Sequence, residues 1–165
     1  MNNKIIELSE QIVEKCAVYG LKVSTAESIT GGMISAAITS HPGSSAVIEF
    51  GVCSYSNRIK QKILGVSDKT LEQFTEYSEQ CAEEMAKGAL KISGADFAVA
   101  TSGIAGPLGG TPNDPIGTVY ICACDKSKSV CERFTFDNKG RGFIREAAAE
   151  KALSMLLEMI CEEIS

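Results

Sequence analysis

The chain is poor in the residues that most enzyme and metal-site motifs require. It has a single histidine, His41, and no CxxC pair. A Ser-His-Asp arrangement has no evident base, and the paired His and Cys ligands of a zinc site are not there. His41 lies in Ser40-His41-Pro42-Gly43 and reads as a loop residue. Lysine and arginine form no block and are outnumbered, 16 against 21 acidic residues, for a net charge of −5. That excludes nucleic-acid binding through a broad basic footprint. No apolar run approaches the roughly 18 residues that a membrane span needs. Met1-Asn2-Asn3-Lys4 leads into an amphipathic pattern instead of a targeting segment. There is no internal repeat and no linker, and neither a Walker A loop nor GxGxxG is present.

The 165 residues are enough for one domain with a sizeable core, and a single domain over 1–165 is expected. A content of 44% hydrophobic and 22% charged residues is that of an ordinary globular protein. Cysteines 16, 53, 81, 122, 124, 131 and 161 fall mostly inside apolar runs. They read as free thiols acting as small hydrophobes in a reducing cytosol. Cys122 and Cys124 would share one strand face, which is poor zinc spacing.

Apolar positions Ile5, Ile6, Leu8, Ile12, Val13, Cys16 and Ala17 recur at helical spacing and stop at Gly20, a suitable C-terminal cap. A strand over 21–25 and a helix over 31–40 follow. The β-branched and aromatic run at 46–54 predicts a second strand, and 56–64, ending at Gly65, a short helix. Residues 78–92 form a longer amphipathic helix with Cys81, Met85, Ala89 and Ile92 on one side. A third strand at 97–101 enters a glycine-rich loop. Segments 116–124 and 129–136 around Asp125-Lys126-Ser127-Lys128 predict an antiparallel hairpin. A last helix from Arg141 would bury Ile144, Ala148, Ala152, Met155 and Met159. Strands alternating with helices predict an α/β fold with helices on both faces of the sheet.

Ligands gather at the carboxyl ends of strands in such sheets, so three loops carry the chemistry. In Thr25-Ala26-Glu27-Ser28-Ile29-Thr30-Gly31-Gly32, a strand passes through a turn into a helix start. Ser28 is there both a helix-cap candidate and a candidate nucleophile with helix-start N–H groups beside it. Tyr55-Ser56-Asn57-Arg58-Ile59-Lys60 supplies what the histidine does not. A desolvated lysine can act as a base toward serine, with a tyrosine hydroxyl to relay or orient the proton. The plainer alternative is a solvated Lys60 and a packed Tyr55. The loop 102–115, rich in glycine, could cradle a phosphate in its N–H groups or be a turn-rich surface segment. Arg141 and Arg145, one helical turn apart, could meet an anion or face solvent.

Together the octapeptide at 25–32, Tyr55 to Lys60, Thr101-Ser102-Gly103-Ile104-Ala105-Gly106-Pro107 with Gly109-Gly110-Thr111-Pro112, and Pro115-Ile116-Gly117-Thr118-Val119 resemble the CinA C-terminal domain family. The resemblance runs over roughly residues 5–160. It departs from the family pattern at Ser102 and at Tyr77, both of which bear on substrate preference. It implies a three-layer α/β/α sandwich with a mixed, mostly parallel five-stranded sheet. It also implies a cytoplasmic nicotinamide-nucleotide amidase, which hydrolyses nicotinamide mononucleotide to nicotinate mononucleotide and ammonia without metal or cofactor. Many relatives carry a larger N-terminal domain, which this chain is expected to lack. By the same resemblance Ser28 is the nucleophile and Tyr55 and Lys60 its catalytic partners. N–H groups near Thr30, Gly31 and Gly32 would hold the oxyanion. Thr101, Gly103 and Gly106 of the glycine loop, with Arg141, would hold the substrate and its phosphate. A homodimer is the expected assembly, with no nucleic-acid or membrane partner.

Overall fold

The computed structural model describes residues 1–165. Its elements are α1 (Asn3–Tyr19), β1 (Val23–Glu27), α2 (Met33–Thr39), β2 (Ile48–Cys53), α3 (Asn57–Leu64), α4 (Asp68–Phe74), α5 (Glu79–Ser93), β3 (Phe97–Gly103), β4 (Thr118–Cys124), β5 (Ser129–Thr135) and α6 (Arg141–Glu163). The sheet order is β2-β1-β3-β4-β5. β1 pairs in parallel with β2 and with β3, and β4 runs against both β3 and β5. The sheet is therefore mixed, with only β4 reversed. The chain leaves β1 toward β2 on one side and returns to β3 on the other, so the order reverses at β1. Crevices at such a reversal are where α/β sheets bind ligands.

Alternation along each strand separates two cores. Val23, Val99, Ile121 and Ala123 face one way, onto α1, α2 and α6. Ala26, Ala98, Ala100 and Cys122 face the other, where the small side chains let α5 lie close against the sheet. This is the expected three-layer sandwich. The long helix α6 buries Ile144, Ala148, Ala152, Met155 and Met159 as its spacing requires. On α5 the stripe stops short, because Ile92 near the helix end is exposed. α3 crosses α5 at Gly88, where any Cβ would strike the Leu64 carbonyl oxygen. That close approach holds α3 against the second core and presses the stem of its Lys60 inward. No helix is long and apolar enough to cross a membrane.

Three features differ from the sequence reading. β1 extends to Glu27, because Thr25 to Glu27 keep their register with β2 and β3 on both sides, and this brings Ser28 to the strand's end. α4 was not expected; Ser67 caps it by accepting from the Thr70 N–H. The cysteines are not all free. Cys122 and Cys131 stand directly opposite each other on β4 and β5 and are joined in a disulfide, leaving Cys16, Cys53, Cys81, Cys124 and Cys161 as thiols. The pairing follows from the hairpin register. Asp125 fixes that register by accepting from the N–H groups of Ser127 and Lys128.

Candidate active site

Glu27, the last residue of β1, has no solvent exposure. A carboxyl group buried there needs donors, and the next eight residues supply them. One oxygen accepts from the Thr30 hydroxyl at 2.7 Å and from the N–H groups of Gly32 at 2.9 Å and Ile34 at 3.1 Å. The other accepts from the N–H of Ser35 at 2.9 Å and its hydroxyl at 2.8 Å. Glu27 thus caps α2 from inside the sheet. The hydroxyl protons then have one consistent order: Thr101 donates to Thr30, and Thr25 donates to Ser35. Arg145 of α6 clamps the same turn from outside, donating to the carbonyls of Ile29 at 3.0 Å and Thr30 at 2.9 Å. Gly31, at φ +61, leaves room for that guanidinium, which would lie 3.1 Å from a Cβ there.

Ser28 stands at the summit of this braced turn, its own N–H donating to the Thr101 carbonyl. Its Oγ lies 3.1 Å from Lys60 Nζ. The Lys60 amine also donates to the carbonyls of Ser54 at 2.9 Å and Tyr55 at 3.3 Å, and the residue is only 1% exposed. These three contacts suit either protonation state. An ammonium donates three times; a free amine donates to the two carbonyls and turns its lone pair to the Ser28 hydroxyl. Burial pushes the Lys60 pKa below its ordinary value, with Cys81 and Glu76 pulling partly back. Its place in the first turn of α3, at the positive end of the helix, acts in the same direction as burial.

Tyr55 is placed differently from a proton relay. The residue is 66% exposed, and its hydroxyl accepts from Arg141 at 3.0 Å. Ser28 and Lys60 meet directly, without it. Arg141 also donates to the Gly106 carbonyl at 3.0 Å, which ties α6, the glycine loop and Tyr55 together. Ser28, Tyr55, Lys60, Gly103 and Arg141 share the wall of one pocket of about 80 Å³. Thr30 and Thr101 are fully buried and outside it, serving the Glu27 network. The helix-start N–H groups expected to hold an oxyanion are largely committed to Glu27. Among the residues of the pocket wall, the N–H groups of Ile29, next to Ser28, and of Ala105 are not bonded within the protein, and neither are those of Tyr55, Glu76 and Arg141. At Gly103 the glycine is required by packing, since a Cβ would lie 2.6 Å from the Thr118 carbonyl oxygen.

The remaining wall is Glu76 and Tyr77, which no motif marked for a role in binding. Tyr77 stood out only as a departure, and so did Ser102. The structure joins the two: the Ser102 hydroxyl donates to the Glu76 carbonyl at 2.6 Å, tying the segment before α5 to β3. A larger groove of about 370 Å³ between α1 and α6 contains Phe136 and Phe143 but no nucleophile–base pair.

The Lys60 geometry predicts a separation of activity from stability. Where Lys60 serves as base to Ser28, Lys60→Met is expected to lower turnover by roughly 10²–10⁴-fold, while the melting temperature at neutral pH stays level or rises. Below the pKa of Lys60 in the folded protein, both folded and unfolded chains hold its proton, and the fold bears the full cost of a buried ammonium. As the pH rises from there toward the ordinary lysine value, the unfolded chain binds the proton that the folded chain has lost, so parent stability increases. The methionine variant should lack this rise, and its residual rate should lose the acid limb expected of the parent. A thermal-melt series and a pH–rate profile check both; an unchanged acid limb would remove Lys60 as the base.

Fold and site define an α/β/α protein with a buried serine–lysine pair, free of histidine, at the sheet's reversal point. The CinA C-terminal domain matches residues 5–160, and the chain belongs to that family. It is 42% identical over 152 residues to a CinA-like protein of Shewanella sediminis, covering 92% of this chain and 36% of that protein. With a CinA-like protein of Endomicrobium trichonymphae the identity is 47% over 134 residues, covering 81% and 31%. The chain therefore spans about a third of the length of these relatives. Among solved structures, the competence/damage inducible protein CihA from Agrobacterium tumefaciens superposes with a TM-score of 0.94 at 42% identity, covering 96% of each chain. A CinA superfamily protein from Klebsiella pneumoniae gives 0.91 at 31% identity, covering 98% of this chain and 99% of that one.

Proposed function

We propose that this protein is a serine amidase that hydrolyses nicotinamide mononucleotide to nicotinate mononucleotide and ammonia. The observation that carries the reading is the 3.1 Å contact between Ser28 Oγ and a desolvated Lys60 Nζ, inside a pocket that also contains Arg141. The Lys60 amine takes the Ser28 proton as Oγ attacks the carboxamide carbon. N–H groups of Ile29 and Ala105 receive the oxyanion, a contribution of about 3 kcal/mol for a well-placed donor. When the C–N bond breaks, the Lys60 ammonium returns that proton to the leaving nitrogen, and ammonia departs. Water then attacks the Ser28 ester while Lys60 takes its proton, and collapse restores the serine hydroxyl and frees the carboxylate.

The small volume beside Ser28 suits the reacting ring, and the ribose phosphate then extends toward the open side. There Arg141, together with the exposed Tyr55, offers a charge-assisted contact to the phosphate. The cationic pyridinium withdraws electrons from the amide carbon and helps the attack. Ammonia release from the purified protein with nicotinamide mononucleotide, set against free nicotinamide, tests the reading. Turnover of the nucleotide well above that of the free base is expected. Nucleotide binding without ammonia would make the protein a sensor, and equal turnover of simple amides would make it a general amidase.

A further inference from the structure

The segment 75–78, between α4 and α5, is held in a costly conformation against the reactive pair. Thr75 is the only residue other than glycine with a positive φ, at φ 66 and ψ 176. That region is close to glycine-only, and where another residue adopts it the surroundings must enforce it. Here three hydrogen bonds do so. The Ser78 hydroxyl donates to the Thr75 carbonyl at 2.9 Å, the Tyr77 N–H to the Thr75 hydroxyl at 3.2 Å, and the Ser102 hydroxyl to the Glu76 carbonyl at 2.6 Å. The outcome is that Glu76 and Tyr77 line the pocket of Ser28 and Lys60. The Glu76 carboxylate makes no ion pair and no side-chain hydrogen bond. It is half-buried and near enough to Lys60 to act on its charge.

A carboxylate without a partner beside an aromatic ring is the composition that holds flat cations. Arg141 places positive charge elsewhere on the same pocket wall. The pocket is thus electrically polarised, with its only carboxylate on the Tyr77 segment. We infer that Glu76 and Tyr77 are the specificity-determining wall for a cationic heteroaromatic ring, and that Glu76 discriminates a pyridinium carboxamide from its uncharged counterpart. This rests on the amidase reading, since it assigns a role to that pocket's substrate. A pyridinium held there also offsets the hold of Glu76 on the Lys60 ammonium, so the charged ring favours the free amine that attack requires.

The test uses oxidised nicotinamide mononucleotide and its reduced form, which share amide, ribose and phosphate but differ in ring charge. Binding of each is measured by calorimetry in a Ser28→Ala background, with and without Glu76→Gln. The glutamine substitution should weaken the oxidised nucleotide about tenfold and leave the reduced one within about twofold. A loss of ordinary packing would weaken both together. Because the Glu76 side chain has no partner within the protein, the variant should fold, and an unchanged melting curve verifies that it does. Equal effects on the two nucleotides would overturn the assignment while leaving the amidase reading intact. If the parent protein neither binds nor hydrolyses the oxidised nucleotide, the amidase reading falls, and this assignment with it.

Discussion

Ser28→Ala is expected to lower ammonia release from nicotinamide mononucleotide by ~10⁴-fold or more, the scale on which enzymes lose a covalent nucleophile. The fold should barely register the change. Lys60 keeps its bonds to the carbonyls of Ser54 and Tyr55, and only its contact with Ser28 disappears. One lost hydrogen bond of this kind is worth about 1 kcal/mol, a few degrees at most in a chain of this size. If serine and lysine act as one unit, the double variant Ser28→Ala, Lys60→Met should be no slower than Ser28→Ala alone. Rates measured on the four proteins of that cycle, with melting curves alongside, separate this scheme from two independent contributions. Retention of more than about a tenth of parent turnover in Ser28→Ala would sink the nucleophile assignment.

The features that could be read from the chain were those in which the local pattern and the tertiary outcome coincide. The stripe from Ile144 to Met159 needed only helical spacing to reveal its buried side, and Gly20 and Gly65 end their helices where their positions suggested. Ser28 and Lys60 could be paired because the serine follows a strand and the lysine opens a helix after the neighbouring strand. Parallel pairing of β1 with β2 then brings their carboxyl ends together. What stayed hidden depends on contacts between distant segments. Cys122 and Cys131 looked like two more buried thiols until the hairpin register set them opposite each other. Glu76 comes to the pocket through a bond from Ser102, which lies 26 residues away in sequence. Tyr55 lines the same pocket as Lys60, but its hydroxyl turns to Arg141, and nothing local to the motif shows that.

Glu27 is the sharpest case, and it carries the largest expected effect on stability. In sequence it is one acidic residue within a run of helix-start residues, with no spacing that marks it as special. In the fold it is the single acceptor for donors from Thr30, Gly32, Ile34 and Ser35. Glu27→Ala strands those groups in a dry interior, and removing one partner from such a buried charged network typically costs about 3–5 kcal/mol. For a chain of this length that corresponds to a fall of roughly 10 °C or more in melting temperature. Glu27→Gln, usually a mild change, should also be damaging. Whichever way its amide points, an NH₂ group replaces an oxygen that faces backbone N–H donors, and those donors cannot reverse their sense. Activity should fall with stability, because the turn that presents Ser28 is braced by this carboxyl group on one side and by Arg145 on the other. Melting curves and turnover of both variants provide the check: a melting temperature within about 2 °C of the parent for Glu27→Gln would mean that the five bonds contribute far less than their number implies. If the loss appears as expected, helix capping and catalysis at this turn are divided between adjacent residues. Glu27 satisfies the start of α2 from within, and Ser28, freed from that duty, turns its hydroxyl to Lys60.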